Sequence, residues 1–163
     1  MHAVVGYRRG RSEPPTAERC ESEEDLMVHG SCLCGGIRFE YARAVSEIYL
    51  CHCSLCRKNS GAASNAVVVV PEDTFNWLSG DELRQVYTKP TGWSATFCRT
   101  CGSPVPARMR GATAYGVPAG LLDDDPGARI GCHILVGSKA PWDEIGGSAP
   151  QFLEGLRTPK AGK

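Results

Sequence analysis

From Ile37 to Tyr41 apolar and polar side chains alternate, Ile37-Arg38-Phe39-Glu40-Tyr41, the period of a strand with one face buried. Residues 47–53 repeat that reach and run directly into a group of cysteines. Residues 66–70 are continuous, apolar and mostly β-branched, so a strand covered on both faces is expected there. Residues 83–88, 95–98, 113–117 and 130–136 complete the strand set, with Gly, Pro and Asp turns between them. No capped amphipathic run is long enough to predict a helix; 143–145 and 150–156 are expected to be short turns at most. The pattern predicts one mainly β domain over residues 28–157 and a C-terminal tail over 158–163. An N-terminal extension, 1–27, precedes it. Its first 26 residues lack apolar periodicity and carry Pro14-Pro15 and the acidic run Glu21 to Asp25, broken by Ser22. That composition predicts disorder, and Met27 could itself be the translation start.

Size and charge narrow the function classes. A chain of 163 residues is about one domain's worth. Eighteen basic residues balance 18 acidic ones, and no stripe of basic and aromatic residues stands out, which argues against a nucleic-acid-binding module. The longest apolar run, Ala66 to Val70, is far short of a membrane span. The N-terminus has arginines but no apolar signal core, so a cytoplasmic protein is expected. Thiols stay reduced there, and close cysteine pairs are then more often metal ligands than disulfides. An odd total of nine cysteines also fits a disulfide framework poorly.

Seven of the nine fall into three clusters: Cys32-Leu33-Cys34, Cys51-His52-Cys53-Ser54-Leu55-Cys56 and Cys98-Arg99-Thr100-Cys101. Structural zinc is closed by four protein ligands, whereas reactive zinc keeps an open position. Seven therefore divides into four plus three, two metals per chain. If 51–53 is extended, Cys51 and Cys53 share one face and His52 points to the other, so His52 reads as a packed or solvent-facing residue. Cys56, after a turn, can return to the cysteine face. Gly35-Gly36 and Gly102 follow the outer clusters; glycine lets the chain turn past a metal and aim N–H groups at thiolate. Pairing the first and third clusters gives a four-cysteine site that joins distant parts of the domain and contributes to its folding. The middle cluster then has three cysteines. His133, Cys132 or an aspartate could complete it, or its thiols could merely oxidise or scavenge metal. Cys132, in an apolar strand, reads as a small buried hydrophobe, and Cys20 as inert. Three thiolates around zinc make a poor Lewis acid for water but a good seat for a further thiolate, so the spacing points to thiol chemistry at a carbon electrophile.

The stretches Gly30 to Gly36, Cys51 to Gly61 (Cys-His-Cys-Ser-Leu-Cys-Arg-Lys-Asn-Ser-Gly) and Phe97 to Pro104 resemble the glutathione-dependent formaldehyde-activating enzyme family, also called the centromere protein V family. Gly120 to Asp123 and His133 to Trp142 resemble it too, so the likeness runs from about Val28 to Leu156. It implies a β-tent fold, a twisted sheet arrangement pinned by zinc. It implies a structural zinc on Cys32, Cys34, Cys98 and Cys101 and a catalytic zinc on Cys51, Cys53 and Cys56. It further implies carbon–sulfur lyase activity, the reversible joining of formaldehyde and glutathione to S-(hydroxymethyl)glutathione.

Beside the sites, Arg57, Lys58 or Arg99 could pair with the carboxylates of an anionic thiol, or be ordinary solvated charges. Ser60 and Asn59 could contact substrate or simply close the turn after Cys56. Arg57 and Ser60 are the substrate contacts favoured by the sequence. Trp93 and Trp142 could wall a pocket or only pack, and Asp123-Asp124-Asp125-Pro126 reads as a solvated turn. The reading that competes with a lyase is a non-catalytic, zinc-stabilised β module that binds a partner. Metal stoichiometry separates the two.

Overall fold

The computed structural model describes residues 27–156; the extension expected before them, with Cys20, and the tail expected over 158–163 lie outside the described residues. The described chain is mainly β and forms three sheets. Strand β1 (Met27–Ser31) pairs antiparallel with β2 (Arg38–Ala42), which pairs with β5 (Phe75–Ser79). The central sheet has the order β10-β3-β4-β9-β8, made of β3 (Glu47–Cys51), β4 (Asn65–Pro71), β8 (Ala107–Arg108), β9 (Ala114–Pro118) and β10 (Arg129–Ile134). Within it only β10 and β3 run parallel. The third sheet is a hairpin of β6 (Arg84–Thr88) and β7 (Ser94–Cys98). Between β3 and β4 lies a seven-residue helix, α1 (Ser54–Ser60). No helix among the described residues is long and apolar enough to cross a membrane.

All seven strands read from the sequence are present, shifted by a residue or two at their ends. Strands β1, β5 and β8, and helix α1, are additions. The apolar run in β4 is not covered on both faces as expected: Val68 and Val70 are fully buried while Val67 and Val69 stay partly exposed. Continuous valine in β4 reflects a central strand whose second face is only half covered.

Alternation in β2 turns Phe39 and Tyr41 inward, where they meet Val68, Val70 and Val117 of the central sheet. Aromatic rings close this core, Phe39 against Phe75 at 5.6 Å and Phe75 against Tyr115 at 4.2 Å between centroids. A second, smaller core gathers Cys32, Ile37, Cys98 and Val105. The Asp123–Asp125 segment, expected to be a solvated turn, is instead tied to β1. Asp124 Oδ2 accepts from the His29 backbone N–H at 2.9 Å and lies 2.8 Å from His29 Nδ1, while Ser31 Oγ donates to Asp123 Oδ1.

Candidate metal centres

The first centre assembles at the smaller core. Cys32 follows β1, Cys34 sits in the turn to β2, Cys98 ends β7, and Cys101 closes the turn after it. The four sulfurs lie within 4.8 Å of one another, with Cys32 to Cys34 at 3.5 Å and Cys34 to Cys98 at 3.9 Å. Four sulfurs placed tetrahedrally at the zinc–thiolate distance would be separated by about 3.8 Å. The donor set and its spacing therefore suit a metal ion. Gly35 (φ 71°) and Gly102 (φ 76°) take left-handed backbone in the two turns, a conformation that costs glycine nothing. Ile37 N–H donates to Cys32 Sγ at 3.3 Å. The Ser103 hydroxyl and N–H hold the Cys101 thiol down to about 6. At Cys34 the Gly36 N–H acts to lower the value, yet the sulfurs of Cys32, Cys101 and Cys98 together raise it to about 11. Without metal the cluster therefore ionises in steps rather than as four independent thiols.

The second centre is built from one short stretch. Cys51 is the last residue of β3, Cys53 caps the N-terminus of α1, and Cys56 lies in its first turn. Their sulfurs also fall within 4.8 Å of one another, and no further His, Cys, Asp or Glu joins them among the described residues. The cap is itself a sulfur: Cys56 N–H donates to Cys53 Sγ at 3.4 Å, the bond a Ser or Asp side chain would ordinarily accept. Cys56's thiol hydrogen bond is the main reason the Cys51 thiol falls to about 6, against the opposing effect of burial and with help from Cys53. The same bond, with burial, pushes Cys56 far up. Two adjacent thiols thus share one proton at neutral pH, and the cluster presents a thiolate.

His52 lies between two of these cysteines and faces away from them. It is 3 % exposed, and its ring closes a buried chain: Nδ1 lies 2.9 Å from Asp143 Oδ2 and Nε2 lies 2.9 Å from His133 Nδ1. The arrangement that satisfies every atom has His52 Nδ1–H donating to Asp143 and His133 Nδ1–H donating to His52 Nε2. Burial first, then the neighbouring His52, lowers the His133 pKa, so that ring is neutral at pH 7. His133 therefore belongs to the wall behind the cysteines rather than among the ligands, and Cys132 is buried in β10 opposite Tyr49. Asp143 and its chain to His133 are functional candidates that the sequence did not reveal, since Asp143 stands 91 positions from its partner.

Arg57 reinforces the same seam. One guanidinium nitrogen donates to the His52 carbonyl at 2.6 Å and to the Ser138 carbonyl. Ser60 Oγ donates to the Ser64 carbonyl at 3.0 Å, and Ala62 N–H donates back to it at 3.2 Å, closing the turn after α1. Both side chains are thus committed to local structure. Lys58 and Asn59 instead face a groove walled by Trp93, whereas Trp142 is 71 % exposed.

A sequence model of the glutathione-dependent formaldehyde-activating enzyme family matches residues 27–138. A curated Halomonas elongata protein, provisionally named a glutathione-dependent formaldehyde-activating enzyme, is 27% identical over 133 residues, which cover 74% of this chain and 82% of that protein. The crystal structure of a Rhodobacter sphaeroides protein superposes with a TM-score of 0.52 at 24% identity, covering 76% of this chain and 98% of the other. That likeness is one of fold.

Proposed function

The chain belongs to the glutathione-dependent formaldehyde-activating enzyme family, and from that membership we propose a zinc-dependent carbon–sulfur lyase that reversibly joins a small thiol to an aldehyde, with glutathione and formaldehyde as the first pair to test. The observation that carries the reading is the three-sulfur cluster of Cys51, Cys53 and Cys56, which has no fourth donor among the described residues. Soft, closely spaced thiolate donors fit zinc, and so does the four-cysteine set. We assign the chain two zinc ions, a structural one on Cys32, Cys34, Cys98 and Cys101 and a reactive one on Cys51, Cys53 and Cys56.

Bound at the open site, zinc supplies a soft Lewis acid that favours the substrate's thiolate over its thiol at neutral pH. The protein's part is positioning. The β3 end and the α1 cap set the three sulfurs, the Asp143–His52–His133 chain holds the peptide between two of them, and Arg57 clamps its carbonyl. In the forward reaction the thiol sulfur bonds to the aldehyde carbon, the carbonyl π electrons move to oxygen, and that oxygen takes the proton the thiol loses. The reverse breaks the same carbon–sulfur bond.

The test measures exchange between formaldehyde, glutathione and their adduct by NMR, with zinc content determined on the same sample. Faster exchange than without protein, two zinc ions per chain, and loss of both the exchange and one zinc in Cys51→Ser or Cys56→Ser are expected. Two zinc ions with no acceleration for any small thiol would overturn the lyase reading and leave a zinc-stabilised binding module.

A further inference from the structure

We propose that the groove between α1 and the tip of the β6–β7 hairpin binds the carboxylates of the thiol substrate, with Lys58 and Lys89 as its cationic contacts; the identity of that ligand rests on the lyase reading above. The groove has a volume of about 240 Å³ and is lined from α1 by Leu55, Lys58 and Asn59, and from the hairpin by Tyr87, Lys89 and Trp93. Leu55, Lys58 and Asn59 are spaced three and four apart, so they share one face of the helix. Leu55 immediately precedes Cys56 in the chain, which places this wall one residue from a ligand thiol. On this proposal a substrate whose sulfur sits at the three-cysteine cluster extends its remaining atoms into this groove.

The lining has the chemistry of an anion site beside an apolar wall. It contains two ammonium groups and no acidic residue. Neither Lys58 nor Lys89 has a side-chain hydrogen bond or ion pair among the described residues. Several other cations are already engaged: Arg84 with Asp81, Arg108 with Glu72, Arg57 with two carbonyls, and Lys139 Nζ with the Asp143 carbonyl. Arg99, exposed in the turn of the four-cysteine cluster, does not line the groove. Tyr87 and Trp93 supply flat walls that shed water and so strengthen a charge contact between them. Glutathione offers two carboxylates on a flexible stem, a match for two ammonium groups carried on opposite walls.

The hairpin tip is held in place. Lys89 N–H donates to the Trp93 carbonyl and Gly92 N–H to the Lys89 carbonyl, each at 2.8 Å, and Arg110 donates to the Gly92 carbonyl. At the other end of the hairpin Cys98 pairs with Arg84 and belongs to the four-cysteine cluster. The four-cysteine cluster thus sits at the base of the element whose tip lines the groove.

The experiment titrates zinc-loaded protein with S-methylglutathione, whose capped sulfur leaves only the rest of the molecule to bind, and compares the ester with both carboxylates blocked. Lys58→Glu and Lys89→Glu are each expected to weaken binding about three- to ten-fold, and the pair at least ~30-fold. The ester should bind the wild type as weakly as the free acid binds the double variant. Arg38→Glu, an equal charge change on an exposed residue of β2, should leave binding unchanged. Binding that is absent in the wild type, indifferent to both lysines, or weakened equally by Arg38→Glu would overturn the proposal. Glutathione turnover on the same samples separates the two readings. Lysine-dependent binding without turnover removes the lyase and keeps the groove, while turnover with an unchanged KM in the double variant removes the groove and keeps the lyase.

Discussion

The two cysteine clusters use the same donor in opposite ways. In the four-cysteine cluster, Cys34 and Cys98 are 64 positions apart, and ligation ties the β1–β2 turn to the hairpin. In the three-cysteine cluster, Cys53 and Cys56 are three apart on one cap, and ligation closes almost no chain. Loop-closure entropy differs between such spans by roughly 2–3 kcal/mol. A metal in the first cluster would therefore act on whether the chain folds, and on the proposed function a metal in the second would act on what the folded chain does. Their surroundings agree with that division. Cys32 and Cys98 are part of an apolar core, whereas the second cluster is backed by hydrogen-bonded histidines and lies beside a cationic groove.

The widest separation should appear on substitution. Cys98→Ser is expected to lose more than about 4 kcal/mol of stability and fail to show a cooperative thermal transition by circular dichroism. A melt within a few degrees of wild type would erase the difference between the clusters. Cys53→Ser should instead keep the fold and lose thiol–aldehyde exchange at least ~100-fold, as read by NMR. A smaller effect comes from the buried chain. Asp143→Asn replaces the acceptor of His52 and is expected to cost about 1–3 kcal/mol. It should also speed zinc release from the three-cysteine site alone, followed with a chelating dye. Equal acceleration at both sites would mean that the chain stabilises the whole domain and not that loop.

Smallest of all is a pH effect in metal-free protein. The Cys51 thiol is depressed to about 6 from 9.0, so its contribution to stability is full above the unfolded value and declines as pH falls, reaching zero below about 6. Cys56 is shifted the other way, so on the same reference it contributes nothing below about 9 and increasingly opposes the fold above it. Ultraviolet thiolate absorbance should show a step with a midpoint near 6 to which Cys51 and Cys101 both contribute, and which loses amplitude in Cys51→Ser, the remainder being Cys101. A step undiminished in Cys51→Ser would overturn the Cys51 assignment.

Much of this was legible in the residues, for physical reasons that differ by element. Strands β2, β3, β4, β6, β7, β9 and β10 announce themselves by alternation or β-branching between turn residues, and the four-plus-three partition by cysteine spacing. Helix α1 did not, because seven residues with one apolar position carry no period; its start is a sulfur cap and its end is Gly61, whose N–H bonds the Arg57 carbonyl. Strand β1 exists through its pairing with β2 rather than through its own pattern, His29 and Gly30 being poor strand residues. The Asp124–His29 and Asp143–His52 contacts join positions 95 and 91 apart, and no local signal marks a partner at that distance. The groove is of the same kind, since Lys58 belongs to the helix and Lys89 to a hairpin tip.

The order of contacts along the chain also sets an order in time. During synthesis Cys51 to Cys56 leaves the ribosome first, while His133 and Asp143 follow 81 and 91 residues behind His52. At ordinary elongation rates that interval is about 5–20 s, and for its whole length the three thiols are a local loop without β10 beside them. Metal can reach the cluster then from any side. Once β10 adds in parallel to β3 and the buried chain closes, the back of the loop is sealed, and any later exchange has to come from the opposite side.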